Sequence, residues 1–151
     1  MTPVKTVVVD ASVALKAYLR DESDVSRVDA LLQDLSDGRL KIAAPSLMRY
    51  EISNALWAAA RQGRITAADA LTAQAAFFQI DIEYYEREDL LTDALRLAQQ
   101  HGRSVYDSAY VALAQRLGVW LFTGDRRLHN ALSPHLNCVR WIGDYQYESI
   151  P

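Results

Sequence analysis

The chain has 151 residues, half of them apolar and 23% charged, which suits one globular domain with a real core and excludes a disordered or fibrous chain. Its formal charge of −3, from sixteen basic and nineteen acidic residues, gives no overall attraction to nucleic acid. No apolar run reaches the roughly eighteen residues a membrane span needs, Asp10 and Lys16 break up any secretory signal, and the single Cys138 reads as a buried thiol in a reducing compartment, the cytoplasm.

Thr6-Val7-Val8-Val9 is a continuous β-branched run, the pattern of a strand covered on both faces, and Asp10 ends it. Ala11 to Tyr18 is predicted helical, followed by a charged turn from Arg20 to Asp24. Val28, Leu31, Leu32 and Leu35 recur at helical spacing, with Gly38 closing that helix. Leu40 to Ala44 forms a short second strand stopped by Pro45, and Ser46 is placed to cap a third helix that ends near Gly63. Thr66 and Asp69 make a capping box with Asp in the usual Glu position, opening a fourth helix through Phe78.

Ile80, Ile82 and Tyr84 alternate as a strand does, and Glu88 to Gln100 is amphipathic with Gly102 beyond its end. Ser104 caps a helix that runs through Asp107 to Arg116, with Gly118 as its stop. Val119 to Thr123 is a fourth buried strand, Arg126 to Leu132 a short helix, and Cys138 to Ile142 a fifth strand. The tail from Asp144 to Pro151 lacks a period and is expected to be loose. Strands alternating with helices predict an α/β fold with three layers, a mostly parallel sheet between helices, as a single domain over 1–151.

Four acids sit at element boundaries, away from exposed helix faces. Asp10 follows the first strand and Asp125 the fourth; if those strands are neighbours, both carboxylates open into one crevice at the sheet's carboxyl edge. Asp107 lies in the first turn of its helix. Glu51 shares a helical face with Leu47, Asn54 and Ala58, which directs it toward the sheet. Singly, each has an ordinary explanation: Asp10 and Asp125 as helix N-caps, Asp107 as a favourable charge on a helix dipole, Glu51 as an arginine partner. Together they repel, and burying them unpaired costs several kcal/mol per ion, so the cluster calls for a cation. Oxygen ligands with no histidine or cysteine at ligand spacing favour Mg²⁺ or Mn²⁺ over zinc, and carboxylate-held divalent ions serve the in-line attack of water on a phosphodiester.

Val8-Val9-Asp10-Ala11-Ser12, Glu51 with Asn54, Tyr106-Asp107-Ser108-Ala109-Tyr110 and Thr123-Gly124-Asp125-Arg126-Arg127-Leu128 together resemble the PIN-domain nucleases. Length and motif order look most like the VapC toxins of prokaryotic type II toxin–antitoxin systems. The resemblance implies a PIN-like αβα fold of about five strands in the order 3-2-1-4-5. It also implies a metal-dependent endoribonuclease acting on tRNA or rRNA and held by a cognate VapB-like antitoxin. For a homodimer or antitoxin-bound hetero-oligomer, helices three and four with Trp57, Phe77 and Phe78 offer an apolar face that serves equally well as core packing. By motif position, Asp10, Glu51, Asp107 and Asp125 would be the catalytic acids and hold Mg²⁺ or Mn²⁺. Ser12 and Thr123 would orient carboxylates or water, Asn54 would support Glu51, and Arg126 or Arg127 would contact substrate phosphate. Gly124 stands where many relatives carry alanine, a difference expected to be harmless. The aromatic residues Tyr50, Trp57, Tyr106 and Tyr110 beside the motifs read first as packing and second as base-stacking surfaces.

Other assignments compete. A haloacid-dehalogenase-like enzyme needs a second aspartate two residues after the first, where Ser12 stands, and a receiver domain needs a late lysine, yet none follows Lys41. A non-catalytic RNA- or protein-binding module of PIN type, and a PIN ribonuclease with a housekeeping role, are the two alternatives left.

Overall fold

A computed structural model describes residues 2–151. A five-stranded sheet of β1 (Lys5–Val9), β2 (Leu40–Pro45), β3 (Ile82–Tyr85), β4 (Trp120–Thr123) and β5 (Val139–Trp141) runs in the order β3-β2-β1-β4-β5. Every pairing is parallel. Helices α1 (Ala11–Leu15), α2 (Val25–Ser36), α3 (Met48–Arg61), α4 (Ala67–Phe77), α5 (Glu88–His101), α6 (Val105–Leu117) and α7 (Arg126–Leu132) fill both faces. The expected α/β architecture and strand order are what the chain adopts.

The sheet's centre explains its own sequence. Val7, Val8 and Val9 are at most 2% exposed because helices cover β1 on both sides, so neither face needs a polar residue. Helix α6 is also sunk in the protein: Ser108 to Ala114 are all buried, and the small side chains of Ser108, Ala109, Ala112 and Ala114 let the helix pack closely. Burying each core valine or leucine contributes about 1.5–3 kcal/mol relative to exposure. Among the described residues, no helix is long and apolar enough to cross a membrane.

Local signals mostly act as the sequence implies. Thr66 and Asp69 close a complete capping box at α4, and Ser104 accepts the Asp107 N–H at 3.0 Å to start α6. Gly102 and Gly118 end α5 and α6 with φ of 65° and 66°, a left-handed geometry that favours glycine. Two local assignments differ. Helix α1 is a short piece ending at Leu15, with Lys16 as its C-cap, and does not continue to Tyr18. Ser46 does not cap α3; the helix begins from Leu47 with no side-chain cap.

The tail is the larger correction. Residues 144–151 are packed, because Tyr145, Tyr147 and Ile150 are all buried. The Tyr145 hydroxyl donates to Asp34 on α2 at 2.7 Å, and Lys5 at the start of β1 donates to the carbonyls of Tyr147 at 2.9 Å and Ile150 at 2.6 Å. Two 3₁₀ turns, Ile142–Asp144 and Tyr147–Ser149, carry the chain between these anchors. Irregular turns have no period to detect, which is why the sequence alone reads them as loose.

The topology fixes where a site can form. The chain passes from β1 outward to β2 and β3, then returns to place β4 on the other side of β1. Val9 is in register with Phe122, and the Asp10 N–H donates to the Phe122 carbonyl at 3.3 Å. The carboxyl ends of β1 and β4 therefore lie side by side at the switch in strand order, where open α/β sheets form their ligand crevices.

Candidate active site

Asp10 leaves the end of β1 and enters α1 as its N-cap. Its Oδ1 accepts the Val13 N–H at 3.3 Å and the Ser12 hydroxyl. The Ser12 oxygen in turn accepts the Gly124 N–H at 2.8 Å, so one hydroxyl ties the end of β1 to the loop after β4. Asp10 is only 6% exposed. Burial pushes its carboxyl up to about 6, the nearby charge of Asp125 adds to the rise, and hydrogen bonds from Ser12, Thr123 and Val13 oppose it.

Asp125 is the N-cap of α7. Its Oδ1 accepts the N–H groups of Arg127 at 2.9 Å and Leu128 at 3.2 Å, while its own N–H donates to Thr123 Oγ1 at 3.0 Å. Thr123 is completely buried, which pins the turn from β4 into α7.

Glu51 is half-buried in the first turn of α3 and accepts the Tyr110 hydroxyl at 2.6 Å. Burial raises its carboxyl above the usual range, the Tyr110 bond lowers it, and the charge of Asp107 raises it again. Asp107, on the same turns of α6 as Tyr110, pairs with Arg103 at 3.2 Å. The Tyr110 phenol is itself held strongly upward by burial and by the charges of Glu51 and Asp10.

The charge of Asp125 acts on Asp10 and that of Asp107 on Glu51, while Tyr110 feels both Glu51 and Asp10. Among the described residues, Asp10, Glu51 and Asp125 form no ion pair with lysine or arginine. Also among them, no three acidic, histidine or cysteine side chains stand close enough to hold a metal ion as they are. The donor chemistry still suits a hard divalent cation: every ligand is oxygen, Asp10 is buried without a counter-charge, and within each pair one charge opposes the other's ionisation. A cation held by these carboxylates would relieve both repulsions.

Asn54, expected beside Glu51, is exposed and forms no side-chain hydrogen bond among the described residues; Tyr110 reaches Glu51 instead. Tyr110 follows Asp107 by three positions on α6, so the two share a helix face, the one signal that could have assigned it. Arg126 and Arg127 are exposed and free of ion pairs among the described residues, and the Arg126 guanidinium lies 3.7 Å from the centre of the Trp141 ring. Lys16 carries no sequence signal at all. It is 3% exposed, lies 3.5 Å from Glu22, and packs against Gly124 so closely that a Cβ there would sit 2.6 Å from its Cε. An alanine at position 124 would require only the flexible end of the Lys16 side chain to shift.

A parallel sheet in this order, with acids at the ends of its central strands, defines an αβα domain of PIN type, and the PIN domain model matches residues 7–131. The chain belongs to the PIN-domain family. It is 37% identical over 125 residues to Ribonuclease VapC3 of Pyrobaculum aerophilum, covering 81% of this chain and 91% of that protein. Among solved structures, it is similar to PAE2754 of Pyrobaculum aerophilum, with a TM-score of 0.67, 26% identity, and coverage of 93% of this chain and 92% of that one. The fold also matches VapBC2 of Rickettsia felis, solved bound to a DNA fragment from their promoter, with a TM-score of 0.62, 12% identity and coverage of 90% and 98%.

Proposed function

We propose that this chain is an endoribonuclease that depends on Mg²⁺ or Mn²⁺ and serves as the toxin of a toxin–antitoxin pair. The observation that carries this reading is the placement of Asp10 and Asp125 at the neighbouring carboxyl ends of β1 and β4, with the charge of Asp107 acting on Glu51 and three of the four acids lacking a cationic partner among the described residues. Similarity to a protein named as a VapC ribonuclease supports the substrate class.

In this reading Asp10, Glu51, Asp107 and Asp125 hold the cation. When bound, such an ion lowers the pKa of water and offsets charge on the scissile phosphate. The rest falls to this chain's own side chains. Ser12 and Thr123 keep Asp10 and the Asp125 turn in place, Tyr110 fixes Glu51, and Arg126 and Arg127 meet the RNA backbone. The targets are tRNA or rRNA, and the partner is a small VapB-like antitoxin, within the cytoplasm.

The test is cleavage of total cellular RNA by purified protein with Mg²⁺, with Mn²⁺ and with EDTA. Discrete fragments that need the metal and vanish in Asp125→Asn are expected. Absence of cleavage by folded, antitoxin-free protein would leave a binding module of the same fold.

A further inference from the structure

Helices α3 and α4 and the edge strand β3 enclose an open cleft of about 550 Å³, lined by Arg49, Tyr50, Ser53, Gln74, Phe78 and Tyr84. Its chemistry is neither that of a core defect nor that of a simple apolar groove. Tyr50 and Phe78 are 79% and 53% exposed, so two aromatic rings stand in water at its rim. The Arg49 guanidinium lies 4.9 Å from the centre of the Tyr84 ring and has no carboxylate partner among the described residues. Among the described residues seven of the thirteen arginines are tied into ion pairs, and Arg49 is one of the six that are not.

A polar edge completes the cleft. Ser53 donates to the Arg49 carbonyl at 2.8 Å and accepts from Gln74 Nε2 at 2.7 Å. That fixes the Gln74 amide while leaving its carbonyl oxygen and second N–H to pair with something else. The cleft also adjoins the acids. Arg49 and Tyr50 directly precede Glu51 on α3, and Glu51 accepts the Tyr110 hydroxyl at 2.6 Å.

Aromatic faces, a free guanidinium and a fixed amide edge are the parts that take an unstacked base of a single strand. We propose that this cleft is a subsite for one splayed base of a single-stranded RNA next to the scissile phosphate. Tyr50 and Phe78 stack on the base, Gln74 reads its edge, and Arg49, steadied on Tyr84, meets the adjoining phosphate. The proposal rests on the ribonuclease reading for its substrate, and it adds a reason for that substrate to be single-stranded at the cut.

The experiment is fluorescence anisotropy of a labelled short single-stranded RNA, and of the same backbone with abasic sites, in EDTA on the full-length Asp125→Asn protein. Adding Tyr50→Ala with Phe78→Ala is expected to weaken the base-bearing strand about tenfold and leave the abasic strand unchanged. Arg49→Ala should weaken both strands. All three side chains are exposed, so folding should survive, and circular dichroism checks it. Equal loss on both strands, or no loss on either, overturns the subsite. A double variant that keeps its RNA affinity but loses the antitoxin would mark the cleft as a protein groove and overturn it too. Failure of the two readings is separable. Base-dependent binding by a protein that never cuts RNA sinks the nuclease alone, whereas normal cutting with unaltered binding sinks the subsite alone.

Discussion

Replacing Asp10 by asparagine should stabilise the metal-free protein at neutral pH. The wild-type carboxyl rises from 3.8 to about 6 on folding, chiefly because it is buried. Between those two values the folded chain holds a proton that the unfolded chain has released, so stability falls as pH rises through that window. Above pH 6 the ionised group costs its full amount, about 3 kcal/mol at roughly 1.4 kcal/mol per pH unit. The Asp10→Asn variant would keep the Oδ1 acceptor for Ser12 and Val13 but carry no charge there. The two proteins should then be nearly equal near pH 4 and differ by up to about 3 kcal/mol at pH 8, with asparagine the more stable. Urea denaturation of both in EDTA from pH 4 to 8 measures this, and acids common to the two proteins cancel in the difference. Saturating Mg²⁺ should close the gap by stabilising only the wild type. A difference that does not change with pH, or a less stable variant at pH 8, would refute the argument that Asp10 is buried without a counter-charge.

Tyr110→Phe should lower RNA cleavage roughly 10- to 100-fold by releasing Glu51, with no more than about 1 kcal/mol lost in denaturation. Steady-state kinetics with a defined RNA would test it, and full activity would remove Tyr110 from the site. Gly124→Ala would displace only the flexible end of Lys16 and should change stability by less than about 1 kcal/mol in urea melts; a loss of several kcal/mol would mean that buried Lys16 cannot give way. Arg103→Ala frees Asp107 from its half-exposed ion pair, which is worth under about 1 kcal/mol. The Mg²⁺ concentration for half-maximal thermal stabilisation should fall, and a rise would mean that Arg103 positions Asp107 instead of competing for it.

Fold and site were legible to different depths. Strands covered on both faces show as unbroken apolar runs, and the glycines after α5 and α6 mark where helices stop, so five strands in series could be read directly. Asp10 and Asp125 stood out because each ends such a run, and strand order brought them together. The partner of Glu51 was not legible. Asn54, three residues on, is close in sequence but faces solvent, while Tyr110 arrives from a helix 59 residues away. Which residue crosses between two helices depends on their packing, and no periodicity within either helix records that. Lys16 and the tail were hidden for the same reason: their contacts are long-range, to Gly124 in one case and to Lys5 and Asp34 in the other.

The plain and the chemical explanations of these acids turn out to be compatible. Asp10 does cap α1 and Asp125 does cap α7, and each commits Oδ1 to its helix. Glu51 likewise gives one oxygen, Oε1, to Tyr110. A carboxylate has two oxygens, so a cap can hold one in a fixed direction while the other faces the crevice. That division explains why acids at strand-to-helix junctions make good ligands: the helix start fixes their rotamers at the cost of one acceptor. It also separates the two roles by experiment, because asparagine retains the capping oxygen and alanine does not. Asp125→Asn should abolish cleavage with α7 intact, whereas Asp125→Ala should lose cleavage and about 1 kcal/mol of stability as well. Equal stability in the two variants would mean that the capping bonds at Asp125 contribute little, and the division between its oxygens would fail with them.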